Sequence, residues 1–145
     1  MKRRTEAGEE WKWKEALEAG KYLYEQWREV FQLVMAFVDT LPETPESAMP
    51  DTREMIYENV YIVAPKLLAA AGDTLYEIKM ENAAIIRYNC RQLMEQVGFA
   101  VLSGKTDDLY QEAIEEAMDE FKHRFRHWVS FFKRDEFEDE WGLFV

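Results

Sequence analysis

From Trp13 onward, apolar or small residues fall at Trp13, Leu17, Gly20, Tyr24, Trp27, Phe31, Val34 and Val38. The steps alternate between four and three, which lays one stripe along an α-helix. The pattern predicts a helix from near Glu9 to near Thr40, where Pro42 and Pro45 stop it. At about 1.5 Å per residue this is a rod of roughly 45 Å. Leu23, Val30, Leu33 and Phe37 form a second stripe beside the first. A helix apolar over more than half its girth has more than one neighbour to bury against.

Residues 41–50 hold three of the chain's four prolines and read as a loop. A second helix opens at Asp51, with Glu54 reaching back to complete a capping box. Its stripe is Ile56, Val60, Val63, Leu67 and Ala70, it closes at Ala71-Gly72, and Pro65 is expected to kink it or end it early. Asp73, Thr74 and Glu77 signal a third start. That helix carries Ala83, Ile86, Cys90, Leu93, Val97 and Ala100 and stops at Ser103-Gly104. The fourth begins at Thr106 and Asp107 and carries Tyr110, Ile114, Ala117, Phe121, Phe125, Trp128 and Phe132. Its seven acids over residues 107–120 and five bases over residues 122–134 complement the helix dipole at both ends. The pattern predicts one all-α domain spanning residues 1–145, an antiparallel four-helix bundle with a long first helix. Residues 1–8 read as a flexible arm and residues 135–145 as an acidic, aromatic tail.

Charge narrows the function classes. The 145 residues carry 29 acidic and 18 basic side chains, a formal net charge of −11. Such a balance argues against nucleic acid, whose backbone affinity comes from Lys and Arg displacing counterions, and against anionic lipid surfaces. Thr5-Glu6-Ala7-Gly8-Glu9-Glu10 follows Lys2-Arg3-Arg4, so no secretory signal is expected there. With a single cysteine and no apolar run of about 18 residues, the expectation is a soluble, cytoplasmic protein.

The search for chemistry yields little. Glu120 and His123 form one Glu-x-x-His, whereas a di-iron bundle needs two. Glu116, Glu120, His123 and His127 share a face and are weak candidates for a surface metal site with hydrolytic activity. At 100° per residue His123 lies about 200° from Phe121, away from the core stripe, where histidines ordinarily sit in solvent. Cys90 falls on a core stripe and reads as an inert thiol. The six glycines are scattered and form no phosphate loop. The Arg-ahead-of-His signature of helical HEPN-type ribonucleases is missing, since Lys122 stands five residues before His127. No catalytic residue and no cofactor are expected.

Two other features suggest binding. Asn82, Asn89 and Gln96, seven apart and with Arg87 nearby, form a polar seam beside the third helix's apolar stripe. The amides either bond across to other helices and fix register, or face a groove that recognises a ligand. Arg87 and Arg91 have Glu58 or Glu81, or an anionic group, as possible partners. The aromatic residues are the second feature. Trp11, Trp13, Tyr24 and Trp27 on the first helix, and Phe137, Trp141, Leu143 and Phe144 in the tail, are candidates for contact with another chain. The tail either folds onto its own bundle or docks on a neighbour.

Glu81-Asn82-Ala83-Ala84-Ile85-Ile86-Arg87 and the ending Asp139-Glu140-Trp141-Gly142-Leu143-Phe144 resemble uncharacterised small bacterial four-helix-bundle proteins. The element order also resembles the ribosomal-RNA intervening-sequence family. That resemblance implies a short, non-enzymatic bundle that assembles into ring-like oligomers. It covers architecture and no diagnostic motif, and this chain departs from it in its aromatic first helix and its acidity. The expected function is therefore a non-enzymatic protein-interaction or oligomeric scaffold module. An acidic immunity-type inhibitor of a basic partner is the alternative, and a metal-binding hydrolytic bundle the third.

Overall fold

The computed structural model describes residues 7–42, 52–72, 75–104, 106 and 108–144. It contains α1 (Ala7–Asp39), α2 (Thr52–Gly72), α3 (Tyr76–Leu102) and α4 (Leu109–Val129), with no strand among the described residues. The protein is an all-α four-helix bundle. α2 packs along α3 and α1 along α4, with slighter α1–α2 and α3–α4 contacts closing the ring. Neighbours run antiparallel. Gln26 reaches Ala117 and Thr40 reaches Thr106 across the α1–α4 seam, while Asn59 reaches Gln96 across α2–α3.

The stripes of α2, α3 and α4 enter the core as their spacing demands. Ile56, Val60, Val63, Leu67 and Ala70 are buried against Ala83, Ile86, Cys90, Leu93, Val97 and Ala100. Ile114, Ala117, Phe121 and Trp128 complete the core from α4, joined by Met118. On α1 both stripes enter the core along the C-terminal two thirds of the helix. Trp27, Val34 and Val38 are buried from the first, and Leu23, Val30 and Phe37 from the second, whereas Trp13 and Leu17 at the start of the first stand outside. The helix begins at Ala7, so residues 7 and 8 belong to α1 and not to an arm.

The starts of two helices need correction, and one of the two outcomes expected at Pro65 drops out. Of those two outcomes, the early end does not occur: α2 continues through Pro65 to Gly72. Pro65 and Tyr61, whose carbonyl loses its amide partner to the ring, are both exposed. At α3 the residue before the first turn is Leu75, which makes no side-chain cap. The cap comes from the far end of the chain, where Asp135 Oδ2 accepts the Tyr76 amide at 2.8 Å. α4 starts at Leu109, and Thr106 instead bonds Thr40. Gly104, at φ +75°, closes α3 in the left-handed conformation that glycine adopts without strain. The expected caps at Asp51, Asp73, Thr74 and Asp107 lie outside the described residues.

Candidate functional site

At one end of the bundle the N-terminal part of α1, the last turn of α2, the first turn of α3 and the end of α4 surround an open groove of about 450 Å³. Its walls are Trp13, Leu17, Tyr24, Leu68, Phe131 and Phe132, and Trp128 lies against Gly20 beneath them. Lys21, Lys79 and Glu25 stand at its lining. The groove exists because α1 continues past its partners. Helices that cover residues 23–41 leave Trp13 63% exposed, Leu17 exposed and, across from them, Leu68 63% exposed. An aromatic ladder supports the floor: Phe121, Phe125, Trp128 and Phe132 succeed one another with centroids 6.2, 5.7 and 4.7 Å apart. Lys79 Nζ sits 5.5 Å above the Phe132 ring, a cation–π contact that ties the α3 terminus to the segment leaving α4.

The tail beside this groove is organised by two aspartates. Asp135 caps α3 through Tyr76 and also accepts the Phe137 amide at 3.1 Å. Asp139 accepts three amides, from Trp141, Leu143 and Phe144, each at 2.9 Å. Gly142, at φ +65°, makes the turn that lets those amides converge. The convergence, led by the Phe144 amide, holds the Asp139 carboxyl below the usual range. Glu77 on α3 faces it and is raised, by burial first and then by its hydrogen bond to Asp139. The turn leaves its own apolar side chains outside: Trp141 is 92% exposed, and Phe137 and Leu143 are exposed as well. Phe144 is half-buried.

The interaction candidates therefore separate. Trp13 and Tyr24 line the groove, and Trp11, Phe137, Trp141 and Leu143 are exposed around the same end. Trp27 is a correction. It is 2% exposed and meets Phe121 edge-on at 5.6 Å, because it lies on the part of its stripe that the neighbouring helices cover.

The polar seam also differs from expectation. Asn82 and Asn89 are buried but donate to the carbonyls of Ile78 and Ile85, four residues back in their own helix. A short amide side chain reaches that carbonyl more readily than a neighbouring helix. Only Gln96 crosses between helices, accepting from Asn59 Nδ2 at 3.0 Å. Asn59 itself also donates to Met55. Asn82, Asn89 and Gln96 line neither the groove at the bundle end nor the cleft between α1 and α4, and Arg87 and Arg91 are exposed.

Among the described residues no group of three or more His, Cys, Asp or Glu side chains comes together in a way that suits a metal ion. Glu116 and His123 are exposed, and His127 lies edge-on to Phe131 at 5.0 Å. Glu120 accepts from Arg124 Nε at 2.8 Å. Arg124 also donates to the Tyr22 carbonyl and stacks 3.4 Å over the Tyr22 ring, clamping α4 to α1. Cys90 is buried, and burial pushes its thiol up to about 12, which removes the thiolate a nucleophile needs. Sequence reasoning had no hold on Arg124 beyond its four-residue spacing from Glu120, nor on Asp135, whose target lies 59 residues away. No helix among the described residues is long and apolar enough to cross a membrane.

Compared with known proteins, the chain matches no family model, no curated protein and no solved structure.

Proposed function

We propose that this protein is a non-enzymatic interaction module, an oligomeric scaffold whose contact surface is the groove end of the bundle. The observation that carries this reading is the cluster of exposed Trp13, Leu17 and Leu68 around one open apolar groove. Contiguous apolar surface of this kind is costly in water and marks contact sites. Tryptophan, tyrosine and phenylalanine in one apolar patch with charged residues beside them follow the usual anatomy of such a surface. Sedimentation of the wild-type chain and of Leu68→Glu tests it. Association in the wild type that is lost in the variant is expected; a wild-type chain that stays monomeric at every concentration contradicts it.

A second surface supports the alternative of an acidic inhibitor-type protein. A cleft of about 430 Å³ between α1 and α4 is lined by Glu29, Glu116 and Glu120 beside Arg124. Capture of a basic partner there depends on charge, so binding of a defined basic protein that falls steeply with salt would favour this reading.

A further inference from the structure

We infer that the groove is filled by the acidic-aromatic tail of a second copy of this chain. The inference rests on the groove end being the contact surface, and it names the occupant.

The tail is built for display. Asp135 anchors it to the first turn of α3, and Asp139 gathers three of its amides into a turn at Gly142. Ordering that segment costs conformational freedom, yet its largest side chain gains almost no cover from its own chain. Trp141 and Leu143 project from a fixed turn into solvent. A pre-organised indole and leucine have already met most of the ordering cost of docking.

Charge chooses the occupant. Lys21 and Lys79 outnumber Glu25 at the groove, while Glu136, Glu138, Asp139 and Glu140 flank the tail's apolar groups. Lysine stems lie along apolar surface and hold their ammonium groups at its edge, where carboxylates beside an inserted indole meet them.

Placement closes the argument. Phe132 and Lys79 line the groove, and the tail leaves directly after Phe132 and is pinned at Tyr76, three residues before Lys79. Donor and acceptor therefore sit side by side at one end. Two copies meeting end to end about a two-fold axis satisfy both contacts at once, giving a closed pair and no open chain.

The test uses two full-length variants. Trp141→Ala/Leu143→Ala disarms the tail and Leu68→Glu disarms the groove; all three positions are exposed, so circular dichroism should show both variants folded. Sedimentation should find the wild type paired and each variant alone weakened by roughly tenfold or more. Mixing the two should restore association, since one intact tail then meets one intact groove. A mixture that stays monomeric overturns the exchange. A tail variant that pairs as well as wild type, beside a Leu68→Glu chain that does not, also overturns it while leaving the contact surface in place. A wild-type chain that never associates sinks both.

Discussion

Five tryptophans divide this molecule into two regions. Trp27 and Trp128 are closed inside, one edge-on to Phe121 and the other against Gly20. Trp11, Trp13 and Trp141 stand outside at one end. The residue type is the same, and on α1 Trp13 and Trp27 belong to the same four-and-three stripe. What separates them is how far the neighbouring helices extend. Period decides which side of a helix is apolar; only the length of its partners decides where along that side the cover stops. The stretch beyond that point is a surface available to another chain.

Removing an indole from each region gives the largest contrast. Trp27→Ala should cost about 3–5 kcal/mol in denaturant unfolding, as the loss of a fully packed aromatic does. Trp141→Ala, measured in dilute solution, should stay within about 0.5 kcal/mol of wild type. Equal losses would mean that the outer indole is packed after all. Next in size is the amide pair between α2 and α3, where Asn59 is buried and Gln96 half-buried. Gln96→Leu removes the acceptor of one Asn59 proton and should cost about 1 kcal/mol, whereas replacing both Asn59 and Gln96 with Leu should recover part of that loss.

The border between the regions is sensitive to a single methyl group. A Cβ at Gly20 meets Trp128 Nε1 at 3.4 Å, ordinary contact, so Gly20→Ala should raise stability by about 0.5–1 kcal/mol through helix propensity. A loss there would show that Trp128 has no room to yield.

The smallest effect is confined to the tail and appears with pH. Asp139 is held below its usual range, so the amides it gathers stay bonded above that range and are released only as pH falls through its lowered value. Glu77 is raised and takes up its proton first on the way down, becoming a donor to Asp139 before the turn opens. Amide chemical shifts of Trp141, Leu143 and Phe144 should therefore report one titration above the ordinary glutamate value and another below the ordinary aspartate value. Asp139→Asn should abolish the lower one, and unchanged shifts in that variant would contradict the turn.

The sequence exposed most of the frame. α2, α3 and α4 each carry one stripe of mainly aliphatic or aromatic residues at unambiguous spacing. Those of α2 and α3 are buried residue for residue, and that of α4 is buried at Ile114, Ala117, Phe121 and Trp128 and half-buried at Tyr110, Phe125 and Phe132. α1 is harder because it carries two stripes, and the one richer in aromatics changes along its length, outside at Trp13 and Leu17 and buried at Trp27, Val34 and Val38. The start of α3 was misleading for a different reason. Its first amide is satisfied by Asp135, and no local pattern links residues that far apart. The amide seam was visible as spacing, but spacing does not say whether an asparagine bonds across a gap or back along its own helix. For the candidate site, the aromatic positions were legible and the groove was not, since Leu68 and Phe131 reach it from elements that only the fold brings together.

Fluorine NMR of the chain labelled with 5-fluorotryptophan tests the central claim most directly. Each indole gives its own resonance, assigned by Trp→Phe substitution, and its solvent isotope shift reports whether water reaches it. The account predicts that Trp13 and Trp141 lose that isotope shift as protein concentration rises, while Trp27 and Trp128 show none at any concentration. A Trp141 signal that remains water-exposed across the whole concentration range would contradict it.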